Sequence, residues 1–395
     1  MALSRGGFGV WLAGAALIAL ASGTVTLAQN QNQSKPQEKN APPSQAQAQE
    51  IQELVRVADA AMTGQQAPAD FPIQFQNDFL KAQGDRVWVP MTLSVDPSKL
   101  TSPTGEPLAF YVRVAPPGMT TPPAAPAPAV DSKDTREKDK KKDKDKDKDK
   151  DKDKDKDKNK DAKPGAAATT GSSPAYPFED LSFLDVKPAA AGQPIRILRG
   201  FGAPSGQYDV YLVMRERNVP AGTTPKTSVL KQPVDVPDYR TEFSTSSVIL
   251  AERVETLPAA ITPDTQAEHP YAFGTTEIVP SAEKKFSKSQ ELIVLLQIYN
   301  PMITPDKKFN IETTYTFFQV APEGEKRFNA TAPQAFTNDS MGPGFDPSAP
   351  DRSIQAGQGI PLQSFPAANY RLEVKVTDKL SAKTLTQSVN FSVTP

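Results

Sequence analysis

Hydrophobic and polar residues alternate along most of the chain after residue 70, and this period of two predicts β-strands. The clearest example places Val87, Val89, Met91, Leu93 and Val95 on one face of a single strand. Similar runs predict further strands at 108–114, 181–186, 195–198, 208–214, 229–236, 247–250, 271–279, 291–299, 309–320, 370–377 and 384–393. Residues 248–257 also fit a helix, but the stretch Ser-Ser-Val-Ile favours a strand at its start. The pattern as a whole predicts an all-β protein.

A different period precedes the strands. Apolar residues recur at intervals of three and four between residues 50 and 62, which predicts a short amphipathic helix within a helix-and-linker segment at 50–66. A helix of this length is marginal alone, so we expect it to pack on another element. Residues 29–49 consist mainly of Gln, Asn, Pro, Ala and Lys, and too little apolar surface is present to offset the entropy of ordering. We therefore predict that residues 29–49 are disordered.

The N-terminus has the organisation of a secretory signal peptide. Arg5 precedes an uncharged, mostly apolar run at 8–22, and small residues then lead to a predicted cleavage site near Ala28. The apolar run is shorter than the roughly 20 residues that span a bilayer. Residues 1–28 are therefore predicted to be removed, which leaves a secreted or periplasmic chain without a transmembrane span. The alternative is an uncleaved membrane anchor.

Charge is concentrated in one segment. Residues 131–163 hold 16 Lys and Arg and 13 Asp and Glu, and they include eight successive Asp-Lys pairs. Strict alternation places like charges four apart on a helix and leaves a strand with nothing to bury. We predict that 117–176 is a disordered insertion within one β-domain, because 70–116 is too short to enclose a core alone. The predicted domains are then 70–237 and 238–395.

Composition excludes several kinds of chemistry. The chain has no cysteine, one histidine (His269) and a formal net charge of −1, which argues against disulfides, zinc sites built on cysteine and nucleic-acid binding. We find no nucleotide-binding glycine motif and no nucleophile elbow, so we expect no cofactor and no enzymatic activity. A hydrolase that uses a Ser-Lys pair or His269 is the least favoured alternative. Three aspartates in the predicted loop 337–357 suggest a cation site, but a plain surface loop is the favoured interpretation: Asp339, Asp346 and Asp351.

The two predicted domains end in similar sequences. The first reads Gly-Gln-x-Ile at 192–195, then Phe201 and Tyr208-x-Val-x-Leu; the second reads Gly-Gln-x-Ile at 357–360, then Phe365 and Tyr370-x-Leu-x-Val. Each continues through a hairpin into a final strand. This pattern resembles the E–F–G end of an immunoglobulin-like sandwich, with Tyr208 and Tyr370 as tyrosine corners. Residues 365–378 are also similar to the closing strands of secreted bacterial proteins with Ig-like modules. The resemblance implies two Ig-like antiparallel sandwiches and no particular activity.

These observations favour an exported, non-enzymatic binding or scaffold protein of the bacterial cell envelope, with a protein or a glycan as its partner. A carbohydrate-binding module is the main alternative, and its candidate ligand residue is Trp88. Alternation places Trp88 on the opposite face from Val87 and Val89. Packing in a core or in a contact between domains is the favoured role for this indole, ahead of a sugar platform.

Overall fold

The alternating segments form strands in four sheets. The computed structural model of the chain describes residues 44–101, 107–120, 176–184 and 193–395, except 264, 343, 350 and 351. These residues contain twenty strands and two α-helices, and the sheets pack in pairs around two hydrophobic cores. The prediction of an all-β sandwich protein is confirmed. The predicted signal peptide at 1–28 and most of both predicted disordered segments lie outside the described residues.

The first sandwich contains eight strands. They are β1 (Ile73–Asn77), β2 (Leu80–Lys81), β3 (Arg86–Val95), β4 (Leu108–Ala115), β5 (Phe178–Leu184), β6 (Ile195–Pro204), β7 (Gly206–Glu216) and β8 (Thr227–Val236), with a short 3₁₀ helix at Pro97–Lys99. In one sheet β3 lies between β6 and the pair β1 and β2. The other sheet has the order β5-β4-β7-β8. The two sheets enclose inward side chains that include Val89, Leu93, Val112 and Val210.

The second sandwich repeats this plan with additions. Its strands are β9 (Ser244–Thr245), β10 (Ile249–Thr256), β11 (Ala272–Phe273), β12 (Thr276–Pro280), β13 (Lys285–Ser287), β14 (Glu291–Tyr299), β15 (Asn310–Ala321), β16 (Gly324–Ala330), β17 (Gln334–Thr337), β18 (Ser353–Pro361), β19 (Ala368–Asp378) and β20 (Lys383–Thr394). One sheet has the order β11-β12-β10-β14-β18, with β9 also on β14. The other has the order β13-β20-β19-β15-β16, with β17 also on β15. The short strand β13 runs parallel to β20.

The structure corrects several boundaries. The strand predicted at 271–279 is a hairpin of β11 and β12, because the chain turns at Gly274, where φ is +61°. The predicted loop 337–357 is shorter than expected, since helix α2 (Asn338–Met341) and the first part of strand β18 lie within it. Strand β16 escaped prediction because its sequence, Gly-Glu-Lys-Arg-Phe-Asn-Ala, has no apolar alternation. The start of residues 248–257 is a strand, as predicted.

Helix α1 (Gln45–Met62) begins earlier than predicted. Residues 45–49, assigned to the disordered segment 29–49, form its first turn and a half. Ser44 and Gln47 make a reciprocal capping box, which satisfies backbone N–H groups that a free helix end leaves unpaired. The helix packs on the outer face of the sheet β5-β4-β7-β8 through Leu54, Val57 and Ala58. Neither described helix is long and apolar enough to cross a membrane.

The predicted insertion leaves and re-enters the same sheet. Strand β4 precedes it and strand β5 follows it, and the two pair antiparallel from Leu108 with Leu184 to Val114 with Phe178. Residues 121–175 lie outside the described residues. Tyr176, assigned to the end of the disordered segment, is buried, and its ring lies 4.3 Å from the guanidinium carbon of Arg113.

The two sandwiches pack against each other through one sheet of each. A shared apolar cluster joins Leu80, Trp88 and Leu198 of the first sandwich to side chains of the second, namely Ile249, Ala251, Tyr271, Ile278, Ile293 and Leu295. Polar contacts flank this cluster. The Tyr271 hydroxyl donates to Asp78 Oδ2 at 2.7 Å, and the Phe79 amide donates to Ser247 Oγ at 2.9 Å. The contact therefore combines apolar packing with directional hydrogen bonds.

Candidate functional site

The two tyrosines identified in the sequence occupy equivalent places. Tyr208 donates to the carbonyl of Pro204 at 3.1 Å, and Tyr370 donates to the carbonyl of Pro366 at 2.9 Å. Each bond reaches back four residues and fixes the loop that enters β7 or β19. This is the geometry of a tyrosine corner. Desolvation raises the pKa of both hydroxyls, so both remain protonated donors at neutral pH.

Trp88 lies in the contact between the sandwiches. Its Nε1 donates to the carbonyl of Pro270 at 2.8 Å. Its ring covers Gly200 so closely that a Cβ at this position would clash with the indole unless the ring shifted, which favours glycine there. The only polar group of the indole and part of its ring surface are thus used inside the molecule. This arrangement gives no support to Trp88 as a sugar platform.

His269 and Asp346 have separate partners among the described residues. His269 Nδ1 lies 2.9 Å from Glu277 Oε1, and no hydroxyl or lysine among the described residues bonds to the ring. Asp346 accepts from Ser348 and from Lys307 Nζ, and these donors lower its pKa to about 2. Asp351 lies outside the described residues. The described part of the chain contains no cluster of three side chains suited to a metal ion.

A different site emerges at one end of the second sandwich. Among the described residues, only two large hydrophobic residues are exposed over more than a third of their surface: Met302 at 50% and Leu380 at 38%. Met302 belongs to the connection between β14 and β15 (300–309), and Leu380 belongs to the turn between β19 and β20 (379–382). These segments correspond to the B–C and F–G connections of an Ig-like sandwich, which lie at the same end of the fold. We call 300–309 and 379–382 together the loop tip.

A single carboxylate holds the two exposed residues together. Asp378 is completely buried. Its Oδ2 accepts from the Met302 amide at 2.8 Å and from the Ser381 hydroxyl at 2.8 Å, while its Oδ1 accepts from the Leu380 amide at 3.0 Å. Residues that are far apart in the sequence are therefore fixed side by side, with their backbone N–H groups satisfied internally.

The backbone of the loop tip is also strained. Three of the five described non-glycine residues with positive φ lie in these two segments: Asn300 at 51°, Lys307 at 59° and Ala382 at 56°. Such conformations persist only where surrounding contacts enforce them, and they concentrate at functional sites. Here the Asn300 side chain donates to the carbonyls of Tyr239 and Glu242. The loop tip is thus a fixed structure that presents two apolar side chains.

Four lysines lie in or directly after the segments of the loop tip, and each forms an ion pair. Exposed ion pairs join each lysine of the loop tip, or the lysine directly after it, to an acidic neighbour: Lys307 with Asp346 at 2.9 Å, Lys308 with Asp306 at 2.9 Å, Lys379 with Glu312 at 2.8 Å and Lys383 with Glu242 at 3.4 Å. Exposed pairs of this kind contribute little stability, and they balance the charge of the lysines.

Sequence reasoning missed this site. The available signal was weak, namely a leucine within the polar turn Asp-Lys-Leu-Ser-Ala-Lys and a methionine that lies between Pro301 and Pro305. Only the shared carboxylate of Asp378 links the two. Comparison with known proteins adds no identification, since neither a protein-family model nor a curated protein matches the chain.

Proposed function

We propose that the chain is an exported, non-enzymatic binding protein of the cell envelope, and that the loop tip makes its contact with the partner. One observation carries this proposal. The only two large hydrophobic residues of the described chain that are exposed over more than a third of their surface, Met302 and Leu380, donate their backbone amides to the two oxygens of buried Asp378. Exposed apolar side chains in a cluster are typical of interaction sites.

The rigidity of the loop tip supports a binding role. Association normally loses free energy when loops and side chains become ordered at the interface. In this protein the hydrogen bonds of Asp378 and Asn300 already fix both backbone segments. Most of the free energy gained by burying Met302 and Leu380 is then available for binding.

The rest of the molecule serves as a support for this tip. The contact between the sandwiches combines the apolar cluster around Trp88 and Tyr271 with the ion pair between Arg196 and Glu252 at 3.3 Å. Sheet faces used in this contact are unavailable to a partner. We infer that the first sandwich supports and orients the second, in keeping with a scaffold role.

Site-specific photocrosslinking in producing cells tests the proposal. A photoreactive residue at position 302 should give a light-dependent adduct, with a protein or a lipid, that mass spectrometry detects. The same residue at position 386, which is exposed on strand β20, is the matched control and should give none. The change Leu380→Ser should weaken the adduct at 302 without a change in melting temperature. Equal adducts at 302 and 386, or none at 302, would contradict a binding role for the tip.

A further inference from the structure

We propose that strand β20 pairs edge to edge with β20 of a second copy of the chain, so that two copies of the second sandwich share one continuous sheet. The surface concerned is an edge of the sheet β13-β20-β19-β15-β16. The short strand β13 covers this edge only at residues 392–394. Residues 383–391 of β20 have no neighbouring strand on that side among the described residues. The proposed dimer is independent of the role of the loop tip.

The backbone of this open stretch directs hydrogen-bonding groups out of the sheet. The Ser392 amide donates to the carbonyl of Lys284 at 2.9 Å. The Lys288 amide donates to the carbonyl of Thr394 at 3.0 Å, so both residues of β20 face β13. Alternate residues of a regular antiparallel strand direct N–H and C=O to the same side, and β20 pairs with β19 without a bulge. The backbone groups of four further residues therefore point the same way, without a bonding partner among the described residues: Thr384, Thr386, Ser388 and Asn390.

The equivalent edge of the first sandwich is protected against such pairing. Its outer strand is β8, and the Val229 amide on this edge donates to the carbonyl of Pro68 at 2.9 Å. The same side of β8 then presents the backbone of Lys231, Pro233 and Asp235. Charged residues and proline prevent another strand from pairing, because proline lacks the N–H group and a charge is costly to bury.

Strand β20 has no such protection along its open stretch. The positions whose backbone faces outward hold only threonine, serine and asparagine. At the opposite edge of the same sheet, β16 carries Glu325, Lys326 and Arg327 in succession. Two comparable edges are thus protected by charge or proline, whereas β20 is regular and uncharged. An edge of this kind is a template for another strand.

The free backbone groups identify the class of the partner, and the side chains favour a second copy. Unpaired N–H and C=O groups at strand spacing are complementary to another extended polypeptide. The open stretch is centred on Gln387, so a two-fold axis at this residue allows antiparallel pairing of the whole stretch. Thr386 then lies opposite Ser388 of the second copy, and Leu385, which is only partly buried, lies opposite Val389. Hydroxyl pairs and apolar pairs between neighbouring strands are stabilising.

The proposed association is closed and weak. A two-fold contact uses the same edge of both copies, so no open edge of β20 remains for a third chain. The contact is small, since a protein interface of ordinary size takes about 20–30 residues from each partner. The dimer should therefore form in concentrated solution, and the monomer should prevail at the low chain concentration of the crosslinking experiment in producing cells.

Sedimentation equilibrium of the full chain over a range of concentrations tests the dimer. The weight-average mass of the parent should rise with concentration toward twice that of the chain. The variant Thr386→Pro removes one N–H group of the edge and should keep the mass near that of the monomer. The matched control Thr386→Ala keeps the N–H group and should dimerise like the parent. A parent that is monomeric at every concentration, or a Thr386→Pro variant that dimerises equally well, would overturn the proposal.

An exchange of charge provides a second measurement that does not depend on proline. The double variant Thr386→Lys and Ser388→Lys places like charges opposite each other across the two-fold axis, so it should stay monomeric. The double variant Thr386→Glu and Ser388→Glu should also stay monomeric alone. An equimolar mixture of the two should regain the dimer, because each lysine then lies opposite a glutamate. A mixture that stays monomeric where the parent dimerises would show that β20 is not the contact.

Discussion

The two sandwiches share a strand plan but differ in the outer face of their equivalent sheets. In the first sandwich, helix α1 covers the sheet β5-β4-β7-β8 through Leu54, Val57 and Ala58. In the second, the sheet β16-β15-β19-β20 presents exposed polar residues, among them Thr384, Thr386, Ser388 and Asn390. The same strand arrangement thus has its outer face covered by a helix of the chain in the first sandwich and exposed to solvent in the second. For these two outer faces, the difference lies in the residues at outward positions.

The outward residues of the covered face are apolar or paired. Ala109, Tyr111 and Val213 contact α1, and Arg113 is buried among them at 2% exposure. The Arg113 guanidinium pairs with Asp59 on the helix and with Glu179 on β5 at 3.0 Å. Removing either carboxylate would leave the buried Arg113 cation with fewer partners. The Arg113 ion pairs therefore help to hold the helix on its sheet. On the open face, Lys375 and Thr386 instead occupy paired positions at the centre.

The largest expected effect on stability comes from shortening a side chain of α1 that packs on the covered sheet. Leu54→Ala should lower the free energy of unfolding by about 2–5 kcal/mol, because a fully buried leucine leaves a cavity when truncated. The matched change Thr386→Ala on the open face should alter it by less than about 0.5 kcal/mol. Urea unfolding curves measure both. Similar losses in the two variants would mean that the open face is also covered.

A smaller effect tests the similarity of the two sandwiches. Tyr208→Phe and Tyr370→Phe each remove one hydrogen bond and little volume, so each should destabilise the protein by about 1 kcal/mol. Urea denaturation curves of the two variants, compared at equal denaturant dependence of the free energy of unfolding, measure the two losses. A loss confined to one variant would show that the two corners are not equivalent in energy, despite their similar geometry.

The contact between the sandwiches predicts a dependence on pH. Burial raises the pKa of Asp78 above its usual value of 3.8, although Tyr271, Ser247 and Lys284 partly offset the shift. A carboxyl group with a raised folded-state pKa destabilises the protein when ionised, and stability returns as the pH falls through that pKa toward 3.8.

The variant Asp78→Asn removes this titration and keeps an acceptor for the Tyr271 hydroxyl. We therefore expect it to be at least as stable as the parent at pH 7, with an advantage that shrinks as the pH approaches 4. Unfolding midpoints at several pH values within this window provide the measurement. An advantage that grows on acidification would contradict the raised pKa.

The smallest expected effect concerns the charged insertion. Strands β4 and β5 pair over seven residues each, so the first sandwich does not depend on the segment between them for its sheet. Deleting residues 131–163 should leave the melting temperature nearly unchanged, because the entropy of loop closure depends only weakly on length. A decrease of more than a few degrees in calorimetry would show that the insertion contributes to the fold.

The sequence predicted much of the fold and little of the candidate site. Alternation located most of the long strands, such as β3, β14 and β19, because an inward face must be apolar. It failed for β16, whose paired residues are charged, and for the start of α1, where a capping box compensates for a polar composition. Met302 and Leu380 gave no periodic signal, and their association through Asp378 could not be inferred from spacing.

By itself the sequence determined that the chain folds into sheets, which positions face the cores, and where Tyr208 and Tyr370 stand. These properties depend on local alternation and on short-range hydrogen bonds. Only the tertiary structure decided which outer faces are covered, that Trp88 lies between the sandwiches, and that the backbone amides of Met302 and Leu380 bond to the same carboxylate of Asp378. An outward residue has the same strand geometry whether it faces a helix, another sheet or water, and only packing between distant segments determines which of these it meets.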